Sequence, residues 1–151
     1  MLDAIDRQIL AALQADASLS HQALAERVGA SPTSCWRRIR ALEEAGILRK
    51  RVALVDGARV DLGVSVLCGI RLKSHSPAAR RDIERLVATR PEILEGYAMS
   101  GEIDYMLRIV VRDVSAYEQF LTGWLLDNPH IASASSSFAL RQIKYETALP
   151  V

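Results

Sequence analysis

The sequence is poor in cysteine, in long apolar runs and in any excess of one charge sign. Two cysteines, Cys35 and Cys68, are too few for a disulfide scaffold and have no zinc-type spacing. The longest unbroken apolar stretches, such as Val66–Leu67–Cys68–Gly69–Ile70, fall far short of the roughly 20 residues that a bilayer helix needs. The start, Met1–Leu2–Asp3–Ala4–Ile5–Asp6, carries acids where a secretory signal carries a basic segment. These absences predict a soluble, cytoplasmic protein with no membrane partner. His21, His75 and His130 fall on separate predicted elements. No Ser/His/Asp or Cys/His set, glycine-rich phosphate loop or metal-ligand cluster is visible, so neither catalytic residues nor a metal or cofactor is expected. What is present is a 151-residue chain, 50% hydrophobic and 25% charged, rich enough in apolar residues to build a packed core.

The first fifty residues predict three short helices. Ile5, Ile9 and Leu13 recur every four residues, with Leu10 beside them, and make one apolar face. Ser20 is placed to cap a second helix with Leu24, Ala25 and Val28 inside, and Gly29 to end it. Ser31–Pro32 supplies a cap followed by proline at the first helical position of a third helix, which Gly46 stops. The short break Gly29–Ala30–Ser31 matches the helix-turn-helix arrangement, which any small helical bundle can also adopt.

The third helix separates these readings. Cys35, Ile39 and Leu42 form its buried stripe, while Thr33, Arg37, Arg40 and Glu44 fall opposite. Arg and Thr near a helix N-terminus suit contacts with guanine edges and phosphates. Arg37, farthest from the stripe, is the best base-reading candidate. Arg38 is left open between a phosphate and an acid within the domain, and Trp36 is read as packing ahead of base contact. Near-neutrality hides an asymmetry: residues 1–51 carry eight Lys/Arg against six Asp/Glu, and residues 52–151 eleven against twelve. The candidate DNA contacts are Ser31, Thr33, Ser34, Arg37, Arg38, Arg40, Arg49, Lys50 and Arg51.

Beyond Arg51 the period changes. Val52–Val55 is expected to enter a strand within a linker or hinge at 51–63, between a helix-turn-helix domain at 1–50 and a second domain at 64–151. Val64, Val66, Cys68, Ile70 and Leu72 alternate as a half-buried strand. A helix from Ser76–Pro77, strands at Ile93–Ser100 and Asp104–Arg112, a helix from Val114 and a final strand at Ile131–Tyr145 follow. The order β-α-β-β-α-β is the ferredoxin-like split βαβ, so the fold class is α+β. Both helices cover one sheet face. Leu67, Tyr97, Met99 and Met106 are assigned to the other, which predicts a dimer through the sheets.

The segment ASPTSCWRRIRALEEAGIL, Ala30 to Leu48, resembles the winged-helix-like helix-turn-helix signature of the leucine-responsive regulatory protein family, Lrp/AsnC. The opening LDAIDRQILAALQAD is similar to that family's first helix. Ser100–Gly101–Glu102–Ile103–Asp104–Tyr105 resembles the G-x-x-D turn between its central sensor strands. The resemblance implies a transcription regulator, not an enzyme. Its partners would be double-stranded promoter DNA, a small amino-acid effector and further copies of itself, as a homodimer assembling to a tetramer or octamer. It also implies effector contacts at Tyr97, Met99, Ser100, Gly101, Glu102, Asp104 and Ser136. Asp104 would accept a charge-assisted bond from the effector's α-ammonium, or else be a solvated acid at a strand end. Gly101 would serve a hairpin that needs positive φ and also let a carboxylate approach backbone. Ser133 and Ala134 stand where many relatives carry Arg-Thr, so the side-chain preference of those relatives does not transfer. Two alternatives share the fold or the helices: a haem-pathway decarboxylase-like enzyme, and a ligand-independent architectural DNA-binding protein.

Overall fold

A computed structural model describes residues 2–151, which divide into two compact units. One comprises Met1–Leu54 with Ile143–Val151, the other Val55–Gln142.

The first unit is built from α1 (Ala4–Ala15), α2 (His21–Val28) and α3 (Pro32–Glu44). Each helix starts where a side chain satisfies an orphan backbone donor. Asp3 accepts from the Asp6 N–H at 2.8 Å, and the Asp6 carboxylate accepts from the Asp3 N–H at 3.2 Å, a reciprocal capping box. Ser20 and Ser31 cap α2 and α3 through their hydroxyls. Gly29 adopts φ +67° at the end of α2, a left-handed conformation that costs glycine little. Ile9, Leu24 and Cys35 are fully buried, and Leu13, Ile39 and Leu42 nearly so.

At the C-terminal end the compact units divide differently from the domains expected from sequence. Ile143–Val151, assigned by sequence to the second domain, belongs to the first unit. Gln14 on α1 makes two bonds to Leu149: its Nε2 donates to the carbonyl at 3.0 Å, and its Oε1 accepts from the N–H at 2.6 Å. The expected strand at Val52–Val55 is absent. These residues are exposed and pair with no strand, because an apolar run becomes a strand only where a neighbour supplies the ladder.

In the second unit the elements run β1 (Val64–Leu72), α4 (Pro77–Thr89), β2 (Ile93–Ala98), β3 (Tyr105–Val111), α5 (Val114–Phe120) and β4 (Ile131–Phe138). Helix α5 continues through a π-helical stretch at Leu121–Leu126. The sheet order is β2-β3-β1-β4, with every neighbouring pair antiparallel. This is the ferredoxin-like topology expected from the sequence.

Alternation on β1 and β3 sends Val66, Cys68, Ile70, Leu107 and Ile109 into the core beneath α4 and α5, where Ile83 and Leu125 are also fully buried. Each such aliphatic chain contributes roughly 1.5–3 kcal/mol. Gly96 lets α4 approach β2, since a Cβ there would lie 2.9 Å from Val87 Cγ1. The final strand stops at Phe138 rather than Tyr145. Phe138 pairs with Val66, near the beginning of β1, so beyond it the neighbouring strand runs out. Among the described residues, no helix is long and apolar enough to cross a membrane.

Candidate functional site

On α3 the structure sorts the sequence-predicted cations by what they touch. Arg38 is an internal residue. Its Nη1 donates to Asp3 at 2.7 Å and to Asp6 at 2.6 Å, tying the middle of α3 to the cap of α1. The N–H of Asp6 and the Arg38 guanidinium together hold the Asp3 carboxyl below its ordinary value. Of the two readings left open for Arg38, the acid pair is the one observed. Arg37 is exposed and has no ion-pair partner among the described residues. Arg49 and Lys50 are likewise exposed and unpaired, whereas Arg40 lies 3.7 Å from Glu44 and Arg51 3.4 Å from Glu43. Such exposed pairs are weak and exchange readily for a phosphate. Ser31 and Thr33 are exposed at the helix start, and Ser34 is half-buried there with its N–H taken by the Ser31 hydroxyl at 3.2 Å.

Trp36 corrects the sequence reading. It is 51% exposed and lies outside the core cluster of its unit, with the Arg40 guanidinium carbon 5.8 Å from its ring centroid. The buried stripe of α3 consists of Cys35, Ile39 and Leu42, and the indole lies on the flank outside it.

In the second unit, Met99, Ser100, Gly101 and Glu102 form an exposed loop between β2 and β3. The Met99 N–H donates to the Asp104 carbonyl at 2.9 Å and closes the loop, and the Asp104 N–H donates to the Ile70 carbonyl at 2.8 Å and anchors it to β1. Gly101 sits at φ +120°, where an L side chain is strained, with open space where a Cβ would be. Tyr97 is exposed on the outer sheet face, and its hydroxyl donates to Glu95 at 2.9 Å.

Asp104 is engaged within the fold. Its Oδ2 accepts from the Leu72 N–H at 2.7 Å, and its Oδ1 lies 2.7 Å from His75 Nε2. The Leu72 amide, then the imidazole, lower its pKa. The Leu72 amide belongs to the end of β1, where the ladder to β4 shifts register between Arg71 and Leu72. The carboxylate thus satisfies a donor at the irregularity and fixes the root of the loop.

Ser136 does not join this group. It pairs with Cys68 on the helix-covered face, and its hydroxyl lies 2.5 Å from the Tyr117 hydroxyl. Burial raises the Cys68 thiol and the Tyr117 phenol above their ordinary ranges. The serines of β4 that face outward are Ser133, Ser135 and Ser137, opposite Arg71, Gly69 and Leu67. One row across the outer face reads Tyr97–Met106–Gly69–Ser135. The Ile103 side chain lies over Gly69, where a Cβ would come within 3.3 Å of it. Sequence reasoning did not single out Ser135 in this row or Ile103 beside it, because the register of β4 against β1 is set only in the fold. Among the described residues no cluster of three or more potential metal ligands occurs.

A basic helix-turn-helix unit beside a ferredoxin-like unit with an open loop defines the class of a DNA-binding regulator with a ligand domain. Residues 2–49 match a winged helix-turn-helix DNA-binding domain, and residues 65–149 match the Lrp/AsnC ligand binding domain. The chain belongs to the Lrp/AsnC family of transcriptional regulators. It is 42% identical over 151 residues to the DNA-binding transcriptional activator DecR of Escherichia coli, covering 100% of this chain and 99% of that one. An AsnC family transcriptional regulator from Agrobacterium tumefaciens matches with TM-score 0.92 at 45% identity, over 99% of this chain and 97% of that one. A transcriptional regulator from Neisseria meningitidis, solved in complex with L-methionine, matches with TM-score 0.92 at 37% identity, over the same shares.

Proposed function

We propose that this regulator binds promoter DNA through α3 and changes its DNA affinity when a small amino acid binds at the Met99–Asp104 loop. The observation that carries the DNA half is the exposed, unpaired Arg37 on a helix whose Arg38 is spent on internal acids. Paired α3 helices of a dimer would enter successive major grooves about 10 bp apart. Exposed Arg49 and Lys50 would then meet flanking phosphates.

The ligand half rests on the loop and on the family. The backbone of the Ser100–Gly101–Glu102 stretch is exposed, Gly101 leaves room for a carboxylate, and the fold is shared with a regulator solved with L-methionine. Because Asp104 already accepts two hydrogen bonds, its role in this reading is to hold the loop; direct contact with an α-ammonium would be secondary. The exposed Leu67, Tyr97 and Met99 support assembly through the sheets into dimers and then larger rings. The ligand is an effector, and no further cofactor is part of this reading.

A thermal-shift screen of the twenty amino acids tests the ligand half, because a ligand that binds the folded state raises its apparent stability. One or a few amino acids are expected to raise the midpoint and to change affinity for a duplex that the protein selects from a random pool. No shift with any of the twenty, or shifts that leave DNA affinity unchanged, would overturn it.

A further inference from the structure

We infer that Trp36 is a specificity residue of the DNA-binding surface, and that it reads a thymine methyl in the major groove. The inference rests on reading α3 as the groove-facing helix. Three observations carry it.

The indole is 51% exposed although the helix has a complete buried stripe without it. It therefore has no packing duty inside its own unit. At 100° per residue Trp36 lies within about 60° of both Thr33 and Arg40, and on the flank opposite the internal Arg38. It shares the N-terminal half of α3 with Ser31, Thr33 and Arg37, the part of a recognition helix that reaches base edges. Finally, Arg40 is held over the ring at 5.8 Å and carries its positive charge alongside the apolar surface. That pairing suits a polyanion that also offers an apolar spot.

The chemistry narrows the occupant. The thymine C5-methyl is the one bulky apolar group that duplex DNA presents in the major groove, among edges made mainly of hydrogen-bond donors and acceptors. An indole edge pressed against that methyl removes both from water, whereas pressed against guanine or adenine it would cover polar atoms without bonding them. Arg37 and Trp36 would then read neighbouring base pairs by different means, one by bidentate hydrogen bonds and the other by shape.

The test uses the full-length protein and a duplex it selects from a random pool. Each thymine is replaced in turn by deoxyuridine, which deletes only the methyl. Wild type is expected to lose about fourfold in affinity at one thymine per half-site, the worth of one buried methyl group. Trp36→Ala should bind the parent duplex more weakly and show no thymine-to-deoxyuridine difference at that position, while Trp36→Phe should restore it. Arg37→Ala should weaken binding yet keep the deoxyuridine effect. The inference is overturned if wild type ignores every deoxyuridine, or if Trp36→Ala discriminates as wild type does. It is also overturned if Trp36→Ala alters only the sedimentation of the oligomer, which would make the indole a contact between copies. Should Arg37→Ala also bind like wild type, the groove-facing reading of α3 fails with it; if only Trp36→Ala is silent, that reading stands and this inference alone falls.

Discussion

The helical unit and the sheet unit treat their charged side chains differently. On α3 one arginine is drawn inward against Asp3 and Asp6, while its neighbour Arg37 stands free. In the sheet unit Arg108 is bonded to Glu95, Arg90 to Glu92, and Asp104 to His75 and Leu72. A helix has a full circle of directions, so adjacent residues can serve packing and recognition separately. A strand has only two, and its outward residues lie side by side at cross-strand distance, where opposite charges find each other. Outward charges meet this way at Arg108 and Glu95, cross-strand neighbours on β3 and β2, while the loop leaves backbone donors and Gly101 open.

The largest test of this contrast asks whether the two units hold their cores separately. Leu107→Ala removes a fully buried side chain from the sheet core and should cost about 2–5 kcal/mol. Each unit carries one tryptophan, Trp36 in the first and Trp124 in the second. In single-tryptophan variants, urea unfolding should shift at Trp124 and stay in place at Trp36. Equal shifts at both would mean that the units unfold as one.

Next comes the contrast between adjacent arginines. Arg37→Ala should weaken binding to a selected duplex by about 1–3 kcal/mol beyond its effect on random DNA, with thermal stability unchanged. Arg38→Ala should do the reverse, lowering the melting midpoint of the helical unit while folded protein keeps its sequence preference. If both variants behaved alike in gel-shift and melting experiments, the division of labour on α3 would be lost.

Caps should give smaller and strictly local effects. Ser31→Ala and Ser76→Ala each remove a hydroxyl that accepts from a helix N–H, at 3.2 Å in both cases, and each should cost about 1 kcal/mol in its own unit.

The smallest effect is in pH. The folded pKa of Asp104 lies below its ordinary 3.8, so the unfolded chain binds the proton first on acidification. The stability this group provides is fully present above about pH 5, given an unfolded value near 3.9, and disappears as pH falls through the lower folded value. Asp104→Asn should flatten the acid limb of the sheet unit's stability curve below about pH 5, monitored at Trp124. An unchanged limb would place acid sensitivity elsewhere, for example at Glu95 or Asp82, whose pKa values are also lowered.

Periodicity carried most of the architecture. The stripes Ile9/Leu13, Cys35/Ile39/Leu42 and Val66/Cys68/Ile70 are buried as the spacing predicts, and the caps at Ser20, Ser31 and Ser76 are in place. The failures share a cause: they depend on a neighbour that is distant in sequence. Val52–Val55 and the stretch after Phe138 have strand-like composition and lack a partner strand. Arg38 is not among these failures: its acid pair is one of the two readings the sequence left open. Ser136 was assigned to the loop cluster by likeness, and the register with Cys68 turns it to the other face. The balance between packing and base contact at Trp36 turns on its exposure, which spacing alone does not give. At the loop, Gly101 and Asp104 were legible as a motif, but the Asp104 carboxylate's use of the Leu72 amide was not, since it depends on the register shift in β1.

The clasp between Gln14 and Leu149 makes the second unit, in topological terms, an insertion within the first. The two partners are 135 residues apart. On the ribosome α1, α2 and α3 emerge early, yet the segment that binds the flank of α1 is synthesised only after every strand of the sheet. That contact is available only once the chain of the ligand unit has been synthesised. A fragment cut after Leu54 would keep its three helices and lose the two hydrogen bonds to Leu149.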